Sequence, residues 1–346
     1  MAKINVRSPY FVSTNQSGMV SASIDIYIYT GVQTTDRPAD PTYTLSSNAQ
    51  LARVDFEISE LVKDYMNMEL DFANTSTIEN NVWVDYQVTR YFVNTSTTLS
   101  IVQLTAFYGY GYITDGANPQ LGTTAGLITN SHIVKNADDI LYFPVDNNFN
   151  GTTVEFKNGG VSVNTETITS TSNSYDQTEY FSNTGATDNV DEIIVTTGVK
   201  VQNYTVENIE ECLDTPYRLT FVNRYGALQS LTMFKKSVKN MTTNVSYYKR
   251  NTIENAAYNL GDAQKSIVNK NATETLTLNS GFYPENNNDV FKELFLSDYV
   301  WIYYDSNEIP CNISSSSFTY KTSRNDKLIN YTLDIEFASD VVQNIK

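Results

Sequence analysis

The single histidine and the two cysteines are the residues on which nucleophilic or zinc chemistry would have to depend. A serine or cysteine nucleophile needs a base beside it, and His132 lies in the polar run ITNSHIVKN with no cysteine nearby in sequence. Cys212 and Cys311 are too few for a disulfide framework or a cysteine zinc site, so we expect reduced thiols. With Asp138-Asp139, His132 could ligate a metal, but a solvated loop histidine explains the same residues more simply. We therefore predict no catalytic triad and no metal.

Residues 146–151 (DNNFNG) match the first half of a calcium-binding loop, in which alternate side-chain oxygens wrap the ion. The position that should supply a bidentate glutamate is Lys157, whose ammonium group would repel calcium. An Asn-rich turn is the better interpretation of this segment. Neither calcium nor any other cofactor is predicted.

Adjacent acidic residues raise the question of glycoside hydrolysis, which needs two carboxylates a few ångströms apart. Glu210-Glu211 and Asp191-Glu192 are neighbours in sequence, and neighbours on a strand point to opposite faces. Gly109-Tyr-Gly111 lacks the other glycines and the lysine of a phosphate-binding loop. We predict that the chain is not an enzyme, and we keep a carboxylate-pair depolymerase only as a third hypothesis for a polysaccharide cleavage assay.

Charge is distributed unevenly along the chain. Residues 1–200 hold nine Lys and Arg against 22 Asp and Glu, which gives −13 of the total −16. Such acidity argues against sequence-specific nucleic-acid binding and against anionic membranes. By contrast, Thr215–Ile253 has no acidic residue and seven basic ones: Arg218, Arg224, Lys235, Lys236, Lys239, Lys249 and Arg250.

Three interpretations of this basic stretch stay open: nucleic-acid contact, contact with an acidic protein neighbour, and chance scatter of surface charge. The seven residues are our candidate subunit interface. An identical neighbour offers acidic residues 1–200, and complementary head-to-tail contacts close into rings.

Alternation of apolar and other residues with a period of two predicts strands with one buried face. The runs 24–29 (IDIYIY), 54–58 (VDFEI) and 333–337 (LDIEF) show it. Turn signals such as Asn150-Gly151 and Tyr225-Gly226 separate the runs, which favours β-sandwiches.

Two segments instead show helical spacing. In Glu57–Asn67 an apolar stripe is formed by Ile58, Leu61, Val62, Tyr65 and Met66, with Ser59 available as a helix cap, and a second stripe lies in Asn288–Leu296. We interpret both as short helices that close the edges or ends of the sandwiches. Burial explains both stripes better than a ligand does.

Residues 150–190 are poor in aliphatic side chains and rich in Thr, Ser, Asn and Gly. We therefore predict a mainly β fold of two antiparallel β-sandwich-like units with a polar middle segment and two short helices. The expected layout is an N-terminal unit over 1–145, a polar middle segment or small insert over 146–214, and a C-terminal unit over 215–346.

Both ends of the chain resemble a known group of proteins. The segments KINVRSPYFV, TPYRLTFVNRYGALQSLTMF, LNSGFYPENNNDVFKELFLSDYVWI and YKTSRNDKLINYTLDIEFASDVVQNI are similar to virion structural proteins of tailed phages that infect Bacteroidetes, including crAss-like podoviruses. The resemblance implies a neck or tail component, a ring-forming protein below the portal around the DNA channel. It implies no catalytic residues.

From these observations we expect a structural virion protein that is made in the host cytoplasm and assembles with copies of itself and with other tail, neck or portal proteins. We expect no membrane insertion, because no apolar run approaches the length of a membrane span. The alternative is a carbohydrate-binding head or tail fibre protein that stacks sugars on some of its 25 tyrosines.

Overall fold

The structure, a computed structural model, describes residues 2–68, 70, 82–122, 124–137, 139–169, 178–182, 189–315, 317, 319–321 and 328–342. Over these residues the fold is mainly β, with 26 strands and two short α-helices in several sheets. The predicted fold class is confirmed. The helices are α1 Ser59–Lys63 and α2 Asn288–Leu296.

Strands of the first part of the chain are β1 Ala2–Asn5, β2 Phe11–Asn15, β3 Ser21–Tyr29, β4 Tyr43–Asn48, β5 Arg53–Glu57, β6 Val82–Tyr91, β7 Ser96–Thr98, β8 Val102–Phe107, β9 His132–Asn136, β10 Tyr142–Asp146, β11 Thr153–Asn158, β12 Val161–Thr167, β13 Thr178–Ser182, β14 Glu192–Thr197 and β15 Lys200–Ile209. The remaining strands are β16 Tyr217–Val222, β17 Leu228–Met233, β18 Lys235–Lys249, β19 Ile253–Glu254, β20 Ala257–Tyr258, β21 Lys265–Asn279, β22 Tyr283–Pro284, β23 Val300–Tyr304, β24 Asn307–Ile313, β25 Leu328–Ile329 and β26 Thr332–Phe337.

The chain divides into two compact units. The first comprises residues 1–209, 221–231 and 286–298, and the second comprises 210–220, 232–285 and 299–346. The layout predicted from sequence, with limits after residues 145 and 214, stays a prediction. Part of its middle segment, 170–177 and 183–188, lies outside the described residues.

The first unit contains two large sheets, one ordered β1-β8-β6-β3-β4 with β7 beside β6 and one ordered β12-β11-β14-β15-β9. Ile24, Ile26 and Ile28 are buried in β3, as their alternation predicts. Two pairs are parallel, β1 with β8 and β15 with β9, and in both the intervening chain is long enough for the crossover that parallel pairing needs. Their neighbours pair antiparallel.

One core of the first unit lies between its second sheet and the antiparallel pair β10-β13. Phe143 of β10 and Phe156 of β11 are both completely buried there. Tyr204 of β15 packs edge-on against Phe143 with 4.9 Å between ring centroids. The contact is sandwich-like, with apolar faces of two strand layers turned towards each other.

Five strands of the seven-stranded sheet lie wholly in the second unit, and they pair in the order β23-β24-β26-β21-β18. Leu333, Ile335 and Phe337 of β26 are buried, so the alternation at the end of the chain is confirmed. The strands β18 and β21 have 15 residues each and are much longer than the six-residue β26 beside them. The residues of β18 and β21 that extend past β26 form a long two-stranded extension.

The two predicted helices are present, but the first differs from its prediction. It covers Ser59–Lys63 only, and its N-cap residue is Ile58, which makes no side-chain cap bond. The predicted cap role of Ser59 is wrong, because Glu57 is an acceptor so close that it receives both the backbone N–H and the hydroxyl of Ser59. The helix α2 has the predicted bounds, with Val290, Phe291 and Leu294 buried.

Candidate functional site

The seven predicted interface residues do not lie together in one unit. Arg224 belongs to the first unit, and the other six belong to the second. In the first unit Arg224 forms an ion pair of 2.9 Å with Asp115 and lies over the ring of Tyr112, 4.6 Å from its centroid. Whether the seven residues contact a neighbouring subunit stays a prediction.

Three of the six basic residues in the second unit are neutralised locally. Arg218 Nη2 lies 2.6 Å from Glu308 Oε1, and Lys235 Nζ lies 2.5 Å from Glu211 Oε2. The hydrogen bond between Lys235 and Glu211 raises the pKa of the lysine and lowers that of the glutamate. These pairs are internal to the unit, so they carry little charge to a neighbour.

Lys239 is the third neutralised residue. Its Nζ lies 2.7 Å from Glu274 Oε2 on the adjacent strand β21, and this hydrogen bond raises the pKa of Lys239. The same ammonium group lies over the ring of Tyr304, 5.1 Å from its centroid. Arg218 similarly lies over Tyr303, at 4.7 Å. Cations therefore lie over two of the tyrosine rings.

Lys236, Lys249 and Arg250 are exposed and have no ion pair with any part of the chain that the structure describes. Lys249 stands directly opposite Lys265 across the pair β18-β21. Arg250 donates from Nε to the carbonyl oxygen of Ala263 at 2.8 Å. Like charges opposite each other are unfavourable, so this end of the hairpin concentrates positive charge that its own strands do not balance.

We call residues 241–249 of β18 and 265–274 of β21 the ribbon. Over these residues the two strands pair with each other, whereas β26 pairs with β21 only over Thr275–Asn279. A shift of register between Ser246 and Tyr247 leaves Val268 without a direct partner. An isolated two-stranded hairpin is marginally stable in water, so a ribbon of this length requires further contacts.

Side chains of the ribbon alternate between two faces of different chemistry. The basic face carries Met241, Thr243, Val245, Tyr247, Lys249, Lys265, Ile267, Lys270, Ala272 and Glu274. The polar face carries Thr242, Asn244, Ser246, Tyr248, Ser266, Asn269, Asn271 and Thr273, none of which is charged. The ammonium group of Lys265 lies 4.1 Å from the ring centroid of Tyr247, as their shared face requires.

Large apolar side chains of the ribbon are open to solvent. The exposed fractions are 59% for Met241, 51% for Tyr247, 54% for Ile267 and 64% for Val268. Single exposed apolar residues are common on proteins, but a contiguous group marks an interaction surface. The ribbon is therefore our candidate functional site.

One edge of the ribbon is partly covered by the chain itself. Val341 donates its N–H to the carbonyl oxygen of Ala272 at 2.9 Å, and Asn271 Nδ2 donates to Asp340 Oδ2 at 2.7 Å. These contacts hold residues 340–342 against the base of the ribbon on β21. From Asn271 towards the hairpin loop, β18 is the only strand beside β21 among the described residues.

His132 is the first residue of β9 and contacts one acidic residue on the neighbouring strand β15. Its Nε2 lies 3.4 Å from Glu207 Oε2, its Nδ1 has no hydrogen-bond partner among the described residues, and burial lowers its pKa. Asp138, its proposed companion ligand, lies outside the described residues. Across the residues that are described, no cluster of His, Cys, Asp and Glu could hold a metal.

In the calcium-like segment, Asp146 is fully buried and forms an ion pair with Lys3. Asn148 donates its backbone N–H to Asp146 Oδ1 at 3.0 Å, in a turn. The ammonium group of Lys3 also lies 4.9 Å from the ring centroid of Phe107. A tethered ammonium group therefore neutralises the carboxylate that calcium would need, which agrees with the Asn-rich turn. Sequence could not reveal this partner, because it is 143 positions away.

Other residues that the sequence analysis singled out have contacts that fit a structural role. Asp191 Oδ2 accepts the N–H of Gly159 at 2.8 Å. Gly109 packs so tightly that an added Cβ would lie 2.6 Å from the carbonyl oxygen of Arg224. Cys212 and Cys311 are both free, and burial raises the pKa of Cys311 to about 12.

Glu293 is a buried titratable residue that the sequence interpretation missed. It lies on α2, where burial raises the pKa of its carboxyl group to about 7. Thr129 donates its hydroxyl to Oε1 at 2.6 Å, and the N–H of Arg224 donates to Oε2 at 3.3 Å. Spacing could have found it, because residues 290, 293 and 294 share one helix face.

No protein-family model matches the chain. No curated protein matches it either. In the described part of the chain, neither helix has the length and apolarity needed to cross a membrane.

Proposed function

We propose that this chain is a non-enzymatic structural subunit of a tailed-phage virion, a ring-forming neck or tail protein that assembles with copies of itself around the DNA channel. The observation that carries the proposal is the ribbon. Its two strands extend past β26 and expose Met241, Tyr247, Ile267 and Val268. A subunit contact would bury these side chains.

The fold supports an assembly role in a second way. Carboxylates that a calcium site or a glycoside-hydrolysing pair would need are used internally: Asp146 pairs with Lys3, and Glu211 pairs with Lys235. The ribbon is the distinctive remaining surface, because it is long and exposes Tyr, Met and Lys side chains. Tyr and Met are enriched in protein interfaces.

The acidic balance of the chain is compatible with a channel for DNA. Its net charge of −16 would repel the phosphate backbone, which allows DNA to pass without adhering. The resemblance of both chain ends to virion structural proteins supports the same role. Other tail, neck or portal proteins are the further proposed partners, and the virion is the proposed location.

The test combines native mass spectrometry of the purified full chain with localisation in particles. We expect a homo-oligomer whose population grows with protein concentration, and we expect antibodies to the chain to label the neck or tail in electron micrographs. A chain that stays monomeric at every concentration, or one that is absent from purified virions, would overturn the proposal.

A further inference from the structure

We propose that the basic face of the ribbon binds acidic residues among 1–200 of a second copy of the chain, in a head-to-tail contact. This inference rests on the proposed self-assembly and specifies the face, the partner and the symmetry of the contact.

Unbalanced charge is the first argument. Lys249, Lys265 and Lys270 lie on the basic face, and none of them has an ion pair within the described ranges. The one carboxylate on that face, Glu274, is already bound to Lys239. The hairpin loop adds Arg250 but also Glu254 and Asp262, so residues 241–273 have a net charge of +2 in a chain of −16.

Apolar contact area is the second argument. Between the lysines, the basic face presents Met241, Val245, Tyr247 and Ile267. Nucleic acid would use the charge of such a face but would leave aliphatic side chains in contact with water or phosphate. A protein surface can bury them and pair with the lysines at the rim. This combination favours a protein partner over DNA.

The polar face does not offer the same combination. Its residues are Thr, Asn and Ser, with Tyr248 as the one aromatic side chain. It has no charge to attract an acidic neighbour. It therefore supplies an internal control on the same two strands.

Symmetry is the third argument. A two-fold contact between two basic faces would bring Lys249, Lys265 and Lys270 of one copy against the same residues of the other. Like charges at such short separations repel each other, so this arrangement is unfavourable. Residues 1–200, with a net charge of −13, attract the face instead. A contact between two different surfaces is heterologous, and such contacts generate closed rings or open filaments.

Two triple variants with equal changes in net charge test the choice of face. The first is Lys249→Gln with Lys265→Gln and Lys270→Gln on the basic face. The control is Thr242→Glu with Asn244→Glu and Ser266→Glu on the polar face. Each lowers the net charge by three, and circular dichroism with thermal melting checks that each full-length variant folds.

Self-association is measured by sedimentation at several salt concentrations. We expect the basic-face variant to raise the self-association Kd at least tenfold and to lose most of its salt dependence, and the control to change Kd less than threefold. Equal weakening by both variants, or weakening by the control alone, would overturn the inference. A wild-type chain that never associates would overturn the proposed function itself, so the two failures are distinguishable.

A photo-crosslinking amino acid in place of Tyr247 identifies the partner surface. The expected crosslinked peptides come from residues 1–200 of another copy. Crosslinks between two ribbons would overturn the head-to-tail contact. Crosslinking to added DNA, with self-association unchanged in the basic-face variant, would overturn the choice of partner.

Discussion

Glu293 shows how one buried carboxyl group couples the stability of the first unit to pH. Its pKa in the folded chain is about 7, against an ordinary value of 4.5. Burial disfavours the charged carboxylate more than the bonds from Thr129 and Arg224 favour it. The folded chain therefore keeps a proton between these two pH values that the unfolded chain releases.

The first prediction concerns Glu293→Gln. The stability that Glu293 contributes is fully present below pH 4.5 and is lost as pH rises through 7, a change of about 3 kcal/mol. The glutamine variant should lack this part of the pH dependence. Urea denaturation of both proteins from pH 4 to pH 8 measures it, with Glu60→Gln on the exposed side of α1 as a control. Parallel pH curves for wild type and Glu293→Gln would contradict the prediction.

The buried ion pair of Lys3 and Asp146 gives the second prediction. Lys3→Met leaves the fully buried carboxylate of Asp146 without its cation, and such a loss costs about 3–5 kcal/mol in urea denaturation. The further change Asp146→Asn removes that charge and should recover part of the loss. A double variant whose destabilisation equals the sum of the two single variants would show that the pair is not coupled.

At the scale of elements, local sequence patterns predicted which strands and helices are present better than they predicted where a helix begins and ends. Alternation in 24–29 and 333–337 correctly identified β3 and β26, because each strand buries one face. Spacing also identified α2, but it overestimated α1. There the side chain of Glu57 accepts the backbone N–H of Ser59, so the helix does not begin at Glu57. At the other end, Tyr65 lies beyond the helix and is exposed.

The turn between β16 and β17 gives the third prediction. Gly226 has φ of +80°, and an added Cβ would lie 2.7 Å from the backbone nitrogen of Tyr108. Gly198 has φ of +58° with nothing within 4 Å of its position. Gly198→Ala should cost about 1–2 kcal/mol from backbone strain alone. Gly226→Ala should cost clearly more in urea denaturation, because the backbone that follows β8 must also move. Equal costs would contradict this.

The ribbon illustrates what local patterns cannot give. The stretch 215–253 is basic in sequence, but only pairing showed that Arg218, Lys235 and Lys239 are neutralised internally. Conversely, Lys265 and Lys270 lie outside that stretch, and the register of β18 with β21 places them on the same face as Lys249. The charge of a sequence stretch and the charge on one face of a strand pair therefore differ.

At the scale of the whole molecule, the partners of strands that are far apart in sequence could not be predicted. The parallel pair of β1 and β8 joins Ala2 to Leu104, and no periodicity specifies such a partner. The first unit also takes in residues 221–231 and 286–298 from beyond the polar middle segment. Composition along the chain cannot show that a unit is discontinuous.

The fourth prediction uses assembly to protect the chain. In the free protein, trypsin should cut after Arg250, which is exposed at the start of the hairpin loop. In the assembled form this cut should slow at least tenfold, because a neighbour would cover the ribbon. Mass spectrometry of timed digests measures both rates, and Arg250→Gln identifies the cut. Equal rates in free and assembled protein would contradict the proposed contact.

The discontinuity of the first unit also fixes an order of events during synthesis. Its last segment, 286–298, contains α2 and follows the ribbon along the chain. At about 5–20 residues per second, the ribosome releases the ribbon seconds before Val290, Phe291 and Leu294 can enter the core of the first unit. A growing chain therefore contains its complete ribbon before the first unit, which would receive a neighbour's ribbon in the proposed assembly, is complete. In the proposed assembly, translation would therefore delay contact between nascent neighbours until each chain is nearly complete.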